Sequence, residues 1–292
     1  MNDSGILLFA MEGLFSRVIF EAMLEMGVHF NGIVLPGRSS ITDQAITDNS
    51  LNVLNTTSIE SMARHLKIPI YYVSGKDNSE YELAVNKSSP DIVIVACFPF
   101  LLPAIVFSYP SNGAYNIHPS LLPAYRGPVP LFWQFYYGDK KAGITIHEID
   151  ATFDTGKIVL QETVVLDDGL NSAEATLLLA TAAINQLRIL LEQLLTSRPV
   201  CNSQNESQSS YYSWPGLEQF NLSTDWNVRR AFNFIRGTMH WKQAYKLRVN
   251  GKELMIREAL EFSYDNSMTL HFNESQNERL IPFQDGSLRV LL

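Results

Sequence analysis

Along the first hundred residues, short wholly apolar runs alternate with longer stretches in which apolar positions return every three or four residues. Gly5 to Ala10 is a run of the first kind, 14–26 is a stretch of the second, and 28–35, ending in Pro36-Gly37, is apolar again. This order reads β, α, β. A helix signal over 57–66 follows, with Thr57-Ser58 ahead of Ile59-Glu60, then a strand at 69–73, a helix at 79–88 and the apolar run from Ile92 to Cys97 behind Asp91. A continuous β-branched run suits a strand covered by helices on both faces. The alternation predicts an α/β fold with a doubly wound, mostly parallel sheet.

Past residue 110 the rhythm changes. The pattern predicts a strand at 114–117, a proline-rich loop at 119–130, an aromatic helix around 130–137 and strands at 142–149 and 157–165. A helix over 172–196 carries an apolar stripe of Leu177, Leu178, Leu187, Leu190, Leu191 and Leu194. Residues 201–210, Cys-Asn-Ser-Gln-Asn-Glu-Ser-Gln-Ser-Ser, have a linker's composition. They are expected to divide a domain at 1–200 from a smaller one at 211–292. The tail combines one helix signal, 225–236, with β-like runs at 244–249, 253–260, 268–272 and 287–292, as in a small β-rich domain. No internal repeat is evident.

Composition narrows the picture. With 292 residues, 46% hydrophobic and 18% charged, the chain suits one large folded domain with a small appendage, and disorder is excluded. The net charge of −8 argues against general nucleic-acid affinity, but it is uneven: residues 1–210 carry 12 basic and 21 acidic side chains, 211–292 carry 10 and 9. Arg229, Arg230, Arg236, Lys242, Lys246, Arg248 and Lys252 fall within 226–252 without an acidic residue, alongside Trp226 and Trp241. Such a run reads either as an anion-binding face or as a solvated helix and strand surface. The start has no basic leader, and Glu12 and Arg17 interrupt the apolar stretch after it. No later segment approaches about 20 uninterrupted apolar residues. Cys97 reads as a buried small hydrophobe and Cys201 as a surface thiol. A cytoplasmic, reducing location with no membrane partner is expected. With no Gly-X-Gly-X-X-Gly after the first strand and no P-loop, a nicotinamide or ATP cofactor has no support.

The chemistry concentrates between Ala114 and Glu162. Asn116 and His118 are two apart on a strand and so share a face, at the carboxyl end where open α/β sheets place ligands. Asp154 precedes the turn signal Thr155-Gly156, between two strand-like runs. Together they would supply a donor for a developing oxyanion, a proton shuttle and an orienting or deprotonating carboxylate, the set that acyl transfer to an amine needs. By spacing alone, Asn-X-His also reads as two satisfied polar residues, and Asp154 as a turn former.

The string Asn116-Ile-His118-Pro-Ser-Leu-Leu-Pro-Ala-Tyr-Arg126-Gly127, with Gly138-Asp139, Gly143-Ile-Thr145 and Phe153-Asp154-Thr155-Gly156, resembles the formyltransferase family. The resemblance covers about residues 5–200; Asp225-Trp226, Arg236-Gly237 and Trp241 are more weakly similar to the family's small C-terminal barrel-like domain. It implies a Rossmann-like catalytic domain, 10-formyltetrahydrofolate as formyl donor and cosubstrate, no metal, and direct attack of a primary amine through a tetrahedral intermediate. Asn116, His118 and Asp154 match the catalytic residues, with Asn116 and protonated His118 on the oxyanion and Asp154 relaying a proton. Phe98, Phe100, Leu101 and Leu102 match the segment beneath the pteridine ring. Ile149, Asp150, Thr152 and Phe153 match the loop at the ring's polar edge. Phe98 and Leu101 taken singly also read as core. Thr152 stands where many relatives have Gly, and after Leu35-Pro36-Gly37 the chain lacks the basic insertion typical of methionyl-tRNA formyltransferases. A small amine acceptor, an amino sugar nucleotide or amino acid derivative, is therefore preferred over methionyl-tRNA. The same residues would also serve hydrolysis of the donor, or a folate-binding module without catalysis. The sequence specifies neither the amine nor an oligomeric state.

Overall fold

The computed structural model describes residues 4–37, 58–264 and 278–292. The continuation of the chain past Gly37 and the β-like run expected at 268–272 lie outside the described residues.

Seven strands form the main sheet: β1 (Ile6–Ala10), β2 (Phe30–Pro36), β3 (Ile70–Val73), β4 (Ile92–Ala96), β5 (Ala114–His118), β6 (Lys141–Glu148) and β7 (Ile158–Val165). Their order is β3-β2-β1-β4-β5-β6-β7. Pairing is parallel from β3 through to β5, and β6 then runs antiparallel to β5. The doubly wound, mostly parallel sheet expected from the alternating pattern is present. Every residue of β1 and β4 is buried, as their unbroken apolar runs require. Side chains alternate across the sheet: Leu7, Phe9, Val93, Val95 and Ala114 share one core cluster with Tyr81, Ala84 and Val85 of α3 (Asn78–Ser88) and Val106 of α4 (Ala104–Ser108). Each fully buried Leu, Ile, Val or Phe contributes about 1.5–3 kcal/mol relative to exposure.

The helix ends follow local chemistry. Ser58 Oγ accepts from Ser61 N at the start of α2 (Ile59–His65), and the Asp77 carboxylate accepts from Ser79 N at the start of α3. Pro130 opens α5 (Pro130–Tyr137), and Gly138, at φ 77°, closes it. Asn171 and Glu174 cap α6 (Ser172–Leu194) reciprocally, each side chain accepting the other's amide. The stripe on α6 is rotated from the leucine-only reading: Ala175, Leu179, Ala180, Ala183, Leu187 and Leu190 are buried, while Leu177 and Leu178 are exposed. Small alanines complete the inward face, which a search for leucines passes over. This helix is long and apolar enough to cross a membrane by length and composition, and 44% of its most apolar window is buried within the protein.

The chain divides into two compact units, one comprising 1–128, 143–164 and 176–211, the other 129–142, 165–175 and 212–292. Residues 201–210, expected as a linker, fall in the first unit because they hydrogen-bond there. The second unit contains α7 (Val228–Thr238) and two three-stranded sheets, matching the expected small β-rich domain. In order β10-β9-β8 these use β8 (Asn221–Leu222), β9 (Tyr245–Val249) and β10 (Lys252–Ile256); in order β11-β13-β12 they use β11 (Glu258–Ser263), β12 (Glu278–Phe283) and β13 (Gly286–Leu291). The run expected at 253–260 is two strands, divided at Arg257. The basic run proves half structural. Arg229 is buried and paired with Asp168, Arg230 stacks 3.7 Å from the Trp226 ring centroid, and Arg236 bonds Gly169 O and Glu258. Lys242, Lys246, Arg248 and Lys252 are exposed.

Candidate active site

Strand β5 places Asn116 and His118 on one face, where Ala114 has already joined the core cluster. Antiparallel pairing with β6 sets His147 directly opposite Asn116. Asp154 arrives from the turn between β6 and β7, in the left-handed conformation at φ 58°. Such a conformation is tolerable for an aspartate and would be strained for a bulkier residue. Gly156 closes the turn with no room to spare, because a Cβ there would lie 1.7 Å from Glu148 O.

The three expected residues meet. Asp154 Oδ1 lies 3.3 Å from Asn116 Nδ2 and 3.4 Å from His118 Nδ1, and Oδ2 accepts from Gly127 N at 2.9 Å. Because a carboxylate only accepts, the Asn116 amide nitrogen must be the atom facing it. His118 Nε2 lies 2.8 Å from Tyr125 O, so it carries the proton and donates it, leaving Nδ1 turned to Asp154. His147 Nδ1 faces its neighbour's carbonyl, Glu148 O, at 2.7 Å, which places the proton there in the same way. His147 Nε2 is then free to accept from Asn116 Nδ2 at 3.0 Å, and it stands 3.7 Å from Asp154 Oδ1.

Electrostatics separates the members. Burial pushes His118 below its ordinary 6.5, outweighing the Asp154 charge and the Tyr125 carbonyl that pull it up. The resemblance implies a protonated His118; with the cleft as it stands, burial favours the neutral ring. Burial would raise Asp154, but His118 in its charged form, His147 and the Gly127 amide hold its carboxyl well below the usual carboxylate range. A neutral imidazole beside a fixed carboxylate can accept a proton passed across it.

A cleft of about 440 Å³, counting its open mouth, is lined by Val95, Phe98, Phe100, Leu101, Leu102 and Ile149, and by Asn116, His147, Asp150, Thr152, Phe153 and Asp154. All eight residues expected to contact folate line it, as do Asn116 and Asp154. His118, 4% exposed, lies behind Asp154 and does not. Phe98 meets Phe9 and Phe100 edge to face at 5.2 and 5.7 Å, so the apolar wall is continuous with the core. The opposite rim is polar: Asp150 accepts from Thr152 N and from Thr155 Oγ1, and Thr152 and Thr155 hydroxyls touch. Apolar faces with a polar edge suit a flat heteroaromatic ring. Among the described residues, no group of three or more His, Cys, Asp or Glu is arranged to hold a metal ion.

Sequence reasoning missed His147, although its two-residue spacing from Thr145 on an antiparallel neighbour of β5 was available as a signal. It also missed the Tyr125 carbonyl and the Gly127 amide, whose roles depend on loop geometry that no periodicity carries.

Residues 41–186 match the formyl transferase family model, half of the chain. The chain belongs to the formyl transferase family, a class of one-carbon transferases. It is 33% identical over 207 residues to the methionyl-tRNA formyltransferase of Chlorobium limicola, covering 70% of this chain and 64% of that protein. The chain thus spans just under two thirds of that relative's length. In fold it is similar to the N-formyltransferase from Helicobacter canadensis in complex with folinic acid and dTDP-3-aminofucose, at 15% identity and a TM-score of 0.65, covering 98% of both chains. HypX from Aquifex aeolicus in complex with tetrahydrofolic acid is similar over 97% of this chain and 43% of its own, at 16% identity and a TM-score of 0.60.

Proposed function

We propose that the protein transfers the formyl group of 10-formyltetrahydrofolate to the primary amine of a small acceptor, an amino sugar nucleotide or an amino acid derivative, in a cytoplasmic setting. The observation that carries this reading is the meeting of Asn116, His118 and Asp154 around one carboxylate oxygen, at the polar end of an apolar cleft. The folate supplies the formyl carbon. The chain's residues do the rest. Asn116 lines the cleft, and one of its two amide N–H groups, held at 3.3 Å by Asp154 Oδ1 and at 3.0 Å by His147 Nε2, would turn to the formyl oxygen as that oxygen gains charge. Asp154, ionised and fixed by Gly127, takes a proton from the attacking nitrogen as the new C–N bond forms, shares it with His118 Nδ1 3.4 Å behind, and returns it to N10 of the carrier as the bond between the formyl carbon and N10 breaks. The apolar walls exclude water, which would otherwise compete as the nucleophile.

The N-formyltransferase solved with dTDP-3-aminofucose is more similar in fold, at a TM-score of 0.65, than the methionyl-tRNA formyltransferase from Clostridium thermocellum at 0.55, with both covered almost throughout, which supports the small acceptor. Methionyl-tRNA is the second reading, favoured by the 33% identity to a methionyl-tRNA formyltransferase. Against it, three arginines of the basic run are engaged inside the second unit, which leaves fewer cations for phosphates.

The test supplies 10-formyltetrahydrofolate with amino sugar nucleotides, amino acid derivatives or charged initiator tRNA, and follows release of the deformylated carrier. Acceleration by a small amine is expected. Acceleration by tRNA alone would replace the reading with the second one. Release independent of any acceptor would make the protein a hydrolase, and no release under any condition would leave a folate-binding module.

A further inference from the structure

The polar stretch 202–210 runs beside the catalytic loops and is tied to them at both ends. At one end Asn202 exchanges two backbone hydrogen bonds of 2.8 Å with Ile158. At the other, Arg126 N donates to Ser210 O at 2.9 Å, Ser210 N to Pro123 O at 3.1 Å, and Tyr125 N to Ser210 Oγ at 2.9 Å. Between these ties Gln204 points inward. Its Nε2 donates to Asp154 O and to Gly156 O, each at 2.8 Å, so one amide group spans the left-handed turn that carries the catalytic carboxylate. Its Oε1 accepts from Arg126 Nε and Nη2 at 3.2 and 2.7 Å. Arg126 is itself buried, and its guanidinium is forked onto Glu206, two residues along the same stretch. Tyr125 holds His118 through its carbonyl, and Gly127 holds Asp154 through its amide. Both catalytic groups are therefore gripped by a three-residue segment that the 202–210 stretch grips in turn.

We propose that Gln204 is a positioning residue for the proposed formyl transfer: it spans the Asp154 turn, with Arg126 and Glu206 fixing its orientation, and so keeps the Asp154 carboxylate against His118. This inference rests on the formyl-transfer reading for its kinetic consequence but not for its geometry. Glutamine suits the position because only a primary amide offers two donors to paired carbonyls and an acceptor to a guanidinium from one planar group. The Asp154 side chain is tied by the Gly127 amide, and its backbone turn, at φ 58°, is spanned by Gln204.

The test compares Gln204→Met, which keeps length and loses both donors, with Gln204→Glu, which keeps the acceptor for Arg126 and turns it against the two carbonyls. Two readouts are taken on the full chain. The first is formyl transfer with the acceptor found by the screen. Both variants are expected to lose kcat by about 10- to 100-fold, with KM for 10-formyltetrahydrofolate within about threefold, because a small misplacement of a reacting group is costly while the ring-binding walls are untouched. The second needs no acceptor: a pH titration of the His118 ring signal by NMR on histidine-labelled protein. His118 is faced by Asp154 and by His147, and loss of the nearby carboxylate is expected to move its midpoint down. A rise in KM with kcat preserved, or a His118 titration identical to that of the parent in a folded variant, would overturn the inference. If the parent transfers no formyl group to any amine, the function reading fails while the titration still decides the role of Gln204. If Gln204→Met does not fold, Gln204→Glu decides alone.

Discussion

Replacing Asp154 with Asn separates the charge of this residue from its shape. The substitution is isosteric, and Asn adopts the left-handed conformation that Asp154 holds at φ 58° as readily as Asp does. The remaining oxygen can keep the 2.9 Å bond from Gly127 N, and the new NH2 group can turn to His118 Nδ1, 3.4 Å away, whose lone pair accepts it; Asn116 Nδ2 loses its acceptor at that position and keeps the one on His147 Nε2. The turn should therefore stay folded, and the apolar walls of the cleft, with Phe98, Leu102 and Ile149, are not touched. What disappears is the group that, in the proposed transfer, takes the proton from the attacking nitrogen. Loss of a positioned acid–base group costs about 100- to 10,000-fold in rate, or about 3–5 kcal/mol of barrier. The assay is kcat for carrier deformylation, with binding of 5-formyltetrahydrofolate by calorimetry and a thermal melt on the same sample. Turnover is expected to fall by at least 100-fold, with folate binding within about threefold and the melt little changed. Turnover within threefold of the parent would refute the proton-relay role and favour a binding module. Loss of folate binding together with turnover would show that the residue maintains the cleft instead.

Three further expectations follow from the same site. Burial sets His118 below 6.5, so kcat/KM should fall on the acid side with a midpoint below that value, and a midpoint above it would show that the ring works in its charged form. In stability the two groups act in different windows. The unfolded chain takes up the His118 proton before the folded one does, so melting should begin to drop as pH falls below about 6.5. Asp154, depressed in the folded state, contributes fully above its unfolded value near 3.8 and is lost only in stronger acid. Melting temperatures flat between pH 7 and 5 would contradict this ordering. Gly156→Ala drives a Cβ to 1.7 Å from Glu148 O, a backbone atom that cannot step aside, so it should cost about 3 kcal/mol or more in a denaturant titration. An unchanged midpoint would mean that the turn is looser than described.

Much of the first unit was legible because its signals are periodic. The unbroken apolar runs of β1 and β4 could only be strands buried on both faces, and alternation placed Asn116 and His118 together before any geometry was known. The aromatic helix, the two strands after it and the residues that line the cleft were legible through long ordered motifs. Other features lacked such a signature. The polarity of 201–210 looks the same whether it serves solvent or, as with Gln204 and Glu206, buried partners. The two-residue strand β8 is too short for any period, and the strand break at Arg257 carries no glycine or proline. The charge run at 226–252 could not reveal that Arg229 is buried against Asp168, because that partner is some sixty residues earlier in the chain.

The second unit recruits 129–142 and 165–175 from the middle of the chain, and Phe132 of α5 sits within an aromatic cluster with Phe220, Phe234 and Trp241. Cutting the gene after codon 210 would strip that helix of its ring partners and leave a sticky fragment. Swapping the tail for a homologue's by recombination would succeed only if α5 were exchanged along with it. Inheritance of this region is therefore a matter of three interlocking pieces, and chimaeras designed on a single crossover should aggregate.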